Sequence, residues 1–222
     1  MLESYKKKVV EIAKKASSIG LCLDGSGNFS MRDPETGYIA ITPSKIARDE
    51  LSYRDIVIVD IDAQIIERKS DVLPTSEILV HLEAYKTRPD VHAVAHTHSA
   101  FATSFAIAGK EIPGVVYEAL AYGGKVPLAK YAIPGTVELS KTIIEPLKNA
   151  DACLMEKHGV LAVDKDIDVA LTKAIYVEEV AQMYYRSLMI SKALNDAQAP
   201  QAISDEDFSV WQYPTQVKAV EA

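Results

Sequence analysis

The chain has 222 residues, of which 48% are hydrophobic and 25% charged, and this predicts one globular domain with a sizeable buried core. Its formal net charge of −7 disfavours nucleic-acid binding, which relies on lysine and arginine contacts to phosphates, while leaving room for a small anionic substrate at a local positive site. No apolar run approaches the roughly 20 residues of a membrane span, and two widely separated cysteines, Cys22 and Cys153, predict a reducing, cytoplasmic location rather than a disulfide framework.

The first third of the chain predicts one helix followed by loops and strands. Apolar residues at helical spacing indicate an amphipathic helix over residues 2–18, with its lysines on a solvated face. Residues 24–37 are rich in turn-forming residues, which predicts a loop, or a loop with a short strand at 28–32. Residues of high β propensity predict three further strands, YIAIT (38–42), DIVIVDI (55–61) and QIIER (64–68).

The rest of the chain intersperses helices with short strands. Helices are predicted over 77–88, 99–109, 135–148 and 166–195, and extended segments over 91–98, 125–132 and 152–163, the last with a tight turn at 157–159. These helices are too few and too irregular for repeated βαβ units, so we expect a single α/β domain with a central, mainly antiparallel or mixed sheet flanked by helices. Residues 197–222 are expected to form a tail that is mobile or covers the active site.

Three histidines are candidate ligands of a divalent metal ion. His96 and His98 are two residues apart in a predicted strand, so their side chains point to the same face. His158 lies in the predicted turn between two apolar strands, from which it could reach the same place. Three imidazoles with an open fourth position are typical of a catalytic zinc site, although Co²⁺ and Mn²⁺ also suit this ligand set. His81 and His92 are left out of the site. His81 lies within a predicted helix and is interpreted as a surface or satisfied core residue, and His92 lies farther from the C-terminal end of its strand than His96 does.

Three short segments are candidate parts of an anion site. Residues 25–28 (GSGN) offer backbone N–H groups and the Asn28 amide, and residues 42–45 (TPSK) add Ser44 and Lys45. Thr75 and Ser76 stand at a helix start, where free N–H groups favour phosphate. Each segment also has a simpler explanation as a turn or a helix cap.

Six motifs in a fixed order resemble the class II aldolase/adducin family, and in particular its small ketose-1-phosphate aldolases. The resemblance covers residues from about 5 to 190. The motifs are GSGNFSMR (25–32), ITPSKI (41–46), PTSE (74–77), VAHTHS (94–99), YEALAYGG (117–124) and KHGVLAV (157–163). The resemblance implies a three-layer fold and a homotetramer with active sites between adjacent subunits.

The resemblance also implies roles for individual residues. The metal ligands would be His96, His98 and His158, joined in the resting state by Glu77, which would also be the catalytic acid/base. A neighbouring subunit would contribute Tyr117 as the second catalytic residue. The phosphate site would comprise Gly27, Asn28, Ser44, Lys45, Thr75 and Ser76. Relatives often carry glycine where Lys45 stands, Glu118 has no assigned role, and the C-terminal aromatic of the family has only Tyr213 as a candidate.

The implied reaction is reversible aldol cleavage of a ketose 1-phosphate, such as L-fuculose 1-phosphate, into dihydroxyacetone phosphate and a small aldehyde. Such cleavage needs a metal ion or a lysine imine to stabilise the negative charge formed, and the sequence shows no obvious buried lysine. Within the family, the alternatives are L-ribulose-5-phosphate 4-epimerase, which usually has Asp in place of Glu77, and methylthioribulose-1-phosphate dehydratase, which eliminates water. A non-catalytic, adducin-like module is disfavoured because such domains lose the metal ligands.

Overall fold

The computed structural model describes residues 1–196, 198 and 200–211. Within this part of the chain, eight strands form one sheet. They are β1 (Asn28–Arg32), β2 (Ile39–Ile41), β3 (Val57–Val59), β4 (Ile65–Glu67), β5 (Ala93–Thr97), β6 (Leu128–Ala129), β7 (Ala152–Met155) and β8 (Gly159–Asp164). Their order is β4-β3-β2-β1-β5-β8-β7-β6, and every neighbouring pair is antiparallel except β6 with β7. The predicted mixed, mainly antiparallel sheet is confirmed.

Helices cover both faces of this sheet. The helices are α1 (Glu3–Ser18), α2 (Ile78–Thr87), α3 (Ala100–Ile107), α4 (Val137–Thr142), α5 (Ile144–Leu147), α6 (Ile167–Ala193) and α7 (Asp205–Val210), with 3₁₀ helices at Tyr53–Asp55 and Tyr117–Tyr122. The single helix predicted over 135–148 is wrong, because the segment is divided into two helices at Ile143. Pro146 has no N–H to donate to the carbonyl of Thr142, so one continuous helix would lose that hydrogen bond.

The core consists of two apolar layers separated by the sheet. On one face α2, α4 and α5 pack over residues such as Val94 and Leu161, and on the other α1, α3 and α6 pack over residues such as Ala95 and Ala162. Val94 and Ala95 are neighbours in β5, so the period-2 alternation of the strand supplies both layers. Fully burying one large aliphatic side chain stabilises a fold by about 1.5–3 kcal/mol. The result is the expected three-layer arrangement.

Two of the lysines that the structure describes are buried, contrary to the sequence-based expectations. Lys6 in α1 is only 6% exposed and its Nζ lies 2.6 Å from Glu67 Oε1 in β4, so the prediction that the lysines of this helix are all solvated was wrong. Lys173 in α6 is also 6% exposed and lies 2.7 Å from Asp151 and 2.6 Å from Asp164. Both ammonium groups have carboxylate partners, which is the condition under which a buried charge is tolerated.

The described part of the C-terminal tail contacts the domain. The N–H of Ile203 donates to the carbonyl of Gly114 at 2.8 Å, and Phe208 in α7 packs against the apolar cluster that α3 and α6 share. Tyr213, the candidate C-terminal aromatic, lies outside the described residues. Among the described helices, none has the combination of length and apolarity needed to span a membrane.

Candidate active site

The sheet and one turn bring three imidazole rings together. His96 and His98 project from the end of β5, and His158 lies in the turn between β7 and β8. The ring centroids are 4.8 Å (His96–His98), 4.9 Å (His96–His158) and 5.2 Å (His98–His158) apart, with interplanar angles of 70°, 78° and 77°. The rings therefore meet edge to face around a common point rather than stacking.

Glu77 closes this group on the fourth side. It is the residue before α2, and this helix lies on the same face of the sheet as His96. Its Oε2 is 3.1 Å from His96 Nε2 and its Oε1 is 2.8 Å from His158 Nε2. Burial acts to raise the pKa of the Glu77 carboxyl, but His96 and His158 outweigh burial and hold that pKa well below its usual range. The group is therefore a carboxylate.

The donor set suits a divalent cation. One atom from each of Glu77, His96, His98 and His158 lies within 4.8 Å of the others, and Glu77 Oε1 is buried without a well-oriented hydrogen bond despite its proximity to His158. Burial, followed by the neighbouring histidines, lowers the pKa of His98 to about 4, so its ring is neutral near pH 7. Imidazole nitrogens and a carboxylate are ligands that zinc and similar ions prefer.

The orientation of His96 is set by the neighbouring strand. Its Nδ1 donates to the carbonyl of Val160 in β8 at 2.8 Å. That hydrogen bond places the ring proton on Nδ1 and leaves the Nε2 lone pair directed toward the other ligands. The pairing of β5 with β8 thus selects the tautomer that metal binding needs.

A cleft of about 470 Å³ opens beside these four residues. All six residues expected in the phosphate site line it: Gly27, Asn28, Ser44, Lys45, Thr75 and Ser76. Glu77, His98 and His158 line the same cleft. Gly27 has a φ of +68°, and a Cβ there would overlap Cys22 Sγ and lie 2.8 Å from the carbonyl of His96. Only glycine lets this loop approach the metal-ligand strand so closely.

Arg48 organises the loop that forms one wall of the cleft. Its guanidinium is 2% exposed and donates to the backbone carbonyls of Gly25 at 2.6 Å, of Gly27 at 3.0 Å and of Ile46 at 3.1 Å. The buried cation also brings positive charge to a cleft that is expected to hold an anion. Nothing in the sequence marks Arg48, because a loop arginine gives no signal that it will be buried.

Lys45 occupies a backbone conformation that favours glycine. Its φ is +61°, in the left-handed region, and its side chain is exposed. This conformation costs a non-glycine residue about 1–2 kcal/mol, so glycine would fit the same position without that strain.

Replacing Lys45 is therefore expected to have unusual effects on stability. In Lys45→Gly, relief of the left-handed strain offsets the greater freedom of the unfolded glycine, so the free energy of unfolding should change by less than about 1 kcal/mol. In Lys45→Val, a β-branched residue in the same conformation should cost about 1–2 kcal/mol. Urea unfolding of both variants provides the measurement. Because both variants lose the lysine side chain, a larger loss in Lys45→Gly than in Lys45→Val would contradict the backbone strain proposed for this position.

Tyr117 and Glu118 lie elsewhere on this chain. Tyr117 begins a 3₁₀ helix, is 52% exposed and contacts the ring of Phe208 edge to face at 6.1 Å. It is not among the residues that line the cleft of its own chain. Glu118 is exposed beside it. The expectation that Tyr117 serves a neighbouring subunit stays a prediction.

Buried lysines take no part in this cleft. Lys6 and Lys173 are each ion-paired, and neither of them lines the cleft. A lysine imine therefore has no support from these two buried lysines, whereas the four convergent ligands support a metal ion.

Comparison with known proteins agrees with this geometry. Residues 7–185 match the family model described as "Class II Aldolase and Adducin N-terminal domain". The chain belongs to the class II aldolase/adducin family. It is 34% identical to the 5-deoxy-D-ribulose 1-phosphate aldolase of Bacillus thuringiensis serovar kurstaki over 192 residues, which cover 86% of this chain and 89% of that protein. It is also 34% identical to the L-fuculose phosphate aldolase of Escherichia coli K12 over 205 residues, covering 92% and 90% of the two chains.

A solved structure of an L-fuculose 1-phosphate aldolase matches this class II aldolase with a TM-score of 0.85, at 31% sequence identity and with 93% of each chain covered. The predicted family, its aldolase class and the predicted fold are confirmed by these matches.

Proposed function

We propose that this class II aldolase reversibly cleaves a ketose 1-phosphate into dihydroxyacetone phosphate and a small aldehyde. The observation that carries the proposal is the convergence of Glu77 and three histidines at one side of a cleft whose other wall is built from glycine, serine and threonine residues. One side suits a metal-assisted reaction and the other suits a phosphate, so a single substrate would bridge both.

The phosphate would be held by the cleft loops. Backbone N–H groups around Gly27, the Asn28 amide, and the hydroxyls of Ser44, Thr75 and Ser76 provide donors, with Lys45 and buried Arg48 as the nearby cations. The loop before α2 also presents the helix N-terminus to the cleft. Binding the phosphate there positions the sugar chain toward the histidines, which contributes to rate by orientation.

The metal-dependent part of the reaction would take place at the four ligands. His96, His98 and His158 would hold the ion, with Glu77 as the fourth ligand in the absence of substrate. When bound, the divalent cation supplies Lewis-acid stabilisation of the negative charge that develops on substrate oxygens. The ligand set favours Zn²⁺, with Co²⁺ and Mn²⁺ as the alternatives.

Two residues would move protons. The Glu77 carboxylate, directed into the cleft, would take up and return the proton on the dihydroxyacetone phosphate carbon and oxygen. Tyr117 of a neighbouring subunit would take the C4 hydroxyl proton in cleavage and return it in synthesis. This role requires the proposed homotetramer with active sites between subunits. Two buried free cysteines, Cys22 and Cys153, support function in the reducing cytoplasm.

The relatives suggest which substrates to test. The two reported above are named as aldolases of 5-deoxy-D-ribulose 1-phosphate and of L-fuculose phosphate. These ketoses differ in the aldehyde end, where one small group changes binding by about 1–3 kcal/mol. We propose a substrate of this class for the present enzyme, a ketose 1-phosphate with a short or deoxygenated aldehyde end.

The decisive experiment is a substrate panel read out by the coupled reduction of dihydroxyacetone phosphate. We expect at least one ketose 1-phosphate to release dihydroxyacetone phosphate, turnover to stop in EDTA, and zinc, cobalt or manganese to restore it. Water elimination from methylthioribulose 1-phosphate without dihydroxyacetone phosphate would instead indicate the dehydratase. Interconversion of pentulose 5-phosphates alone would indicate the epimerase, and EDTA-insensitive turnover would refute the metal site. An inert protein that binds no metal would indicate the interaction module.

A further inference from the structure

A line of polar side chains is buried between α2 and β1, directly behind the candidate catalytic carboxylate. Glu77, directly before α2, and His81 and Tyr85 within α2 are spaced by four residues, so they lie on one side of the helix. Asn28 and Ser30 are spaced by two along β1, so they share the face that this helix covers. Four residues of helix and two residues of strand cover similar lengths, about 6–7 Å, so each of the three side chains before or on α2 meets a side chain of β1.

Hydrogen bonds connect these five residues in a chain that runs from Tyr85 to Glu77. Tyr85 Oη is 2.7 Å from Ser30 Oγ, and Ser30 Oγ is 2.7 Å from His81 Nδ1. His81 Nε2 is 2.5 Å from Asn28 Oδ1, and Asn28 Nδ2 donates to Glu77 Oε2 at 2.8 Å. His81 is 0% exposed and Asn28 is 4% exposed, so water does not substitute for these partners.

The chemistry of the groups determines which atom donates. The Glu77 carboxylate accepts only, so the Asn28 amide must present its NH₂ group to it and its carbonyl to His81. His81 then has to carry its proton on Nε2. Burial, and then His96, lower the pKa of His81 to about 3, so the ring is neutral and its Nδ1 accepts from Ser30. The hydroxyls and the His81 N–H each have one acceptor, and the N–H of His81 holds the Asn28 amide in the orientation that the Glu77 carboxylate requires.

We propose that His81 is a positioning residue for Glu77 and acts through the amide of Asn28. The inference rests on the proposed function for its effect on turnover, but its effect on metal binding stands by itself. Without the His81 donor, the Asn28 carbonyl is buried unsatisfied, and rotation of the amide would direct that carbonyl at the Glu77 carboxylate. The carboxylate would then lose a hydrogen bond and gain a repulsive neighbour, and it would shift from the position it needs as metal ligand and base.

Three variants separate positioning from packing. His81→Phe removes the donor but keeps a ring in the core, and His81→Gln retains an amide N–H able to reach Asn28. Tyr85→Phe is the matched control, because it removes only the distant hydroxyl and keeps the ring that Arg32 covers at 5.0 Å. Zinc affinity by chelator competition, the visible spectrum of the Co²⁺-loaded protein and kcat are measured for each, together with the melting temperature.

We expect His81→Phe to weaken zinc binding and lower kcat by about 10–100-fold and to alter the cobalt spectrum. His81→Gln should recover most of both, and Tyr85→Phe should stay within about threefold of the wild type, since Ser30 can still donate to His81. Equal losses of melting temperature in His81→Phe and Tyr85→Phe, with unchanged zinc affinity and cobalt spectrum, would overturn the proposal and leave His81 a core residue.

Two provisions keep the test decisive. If His81→Phe does not fold, Asn28→Leu is measured in its place, because it removes the only described link from His81 to Glu77, and unchanged zinc affinity there would overturn the proposal. If the wild type cleaves no ketose 1-phosphate, the proposed function fails, while zinc affinity and the cobalt spectrum still report whether His81 positions Glu77.

Discussion

Glu77→Gln is expected to lower kcat for cleavage by about 10²–10⁴-fold, the range typical of a lost general acid/base, while the three histidines still hold the metal, although with lower affinity. The substitution keeps the shape of the side chain, and its amide oxygen can still accept from Asn28 Nδ2. Three imidazoles remain to hold the ion. The change therefore removes the proton-transfer group without dismantling the ligand cluster. Turnover by the dihydroxyacetone phosphate assay and metal content by atomic emission are the two measurements.

Glu111→Gln provides the control for this experiment. Glu111 is exposed and lies 3.4 Å from Lys125, outside the cleft, so its loss should leave kcat unchanged. Full activity in Glu77→Gln would eliminate the proposed base. Loss of metal in parallel with activity would show that Glu77 serves chiefly as a ligand and would move the proton-transfer role to another residue.

Two of the proposed metal ligands are predictable from the sequence because their spacing is local. His96 and His98 share a strand face through the period of two, and the turn at His158 follows from two apolar runs separated by polar residues. What the residues alone do not tell is that the turn after β7 reaches β5. That contact depends on β8 pairing with β5, a non-local register that a single sequence leaves open.

The residues that sequence reasoning missed are buried polar groups whose partners are distant in the chain. His81 is predicted to be a surface or satisfied core residue, and the structure places it in the core; the sequence does not indicate its contact with Asn28, which lies 53 positions away. The sequence does not indicate that Arg48 or Lys6 is buried, for the same reason. Only the fold shows that each side chain meets acceptors that compensate for its burial. Asn28 was selected as a phosphate donor, yet nothing in the motif indicated that it also contacts Glu77.

Gly159→Ala is expected to disrupt the proposed metal site. Gly159 begins β8 and follows His158 directly, with β5 on its other side. An added Cβ would overlap the carbonyl of Thr97 and approach His96 Cε1 and His98 Cδ2 to 3.1 Å each. The first of these atoms belongs to the backbone, so relief requires the two strands to separate. We expect a loss of stability of about 1–3 kcal/mol, as for overpacked cores, and at least tenfold weaker zinc binding.

Gly20→Ala separates this effect from a general intolerance of alanine. Gly20 has a φ of +81° but no heavy atom within 4 Å of an added Cβ, so the variant should lose about 1 kcal/mol through backbone strain and bind zinc normally. Urea unfolding of the metal-free proteins, followed by zinc titration, gives both quantities for the pair. Equal zinc affinities would mean that β5 and β8 can part at Gly159 without moving the histidines. Weaker binding in Gly159→Ala alone would show that the close approach of these strands sets the distances between the ligands.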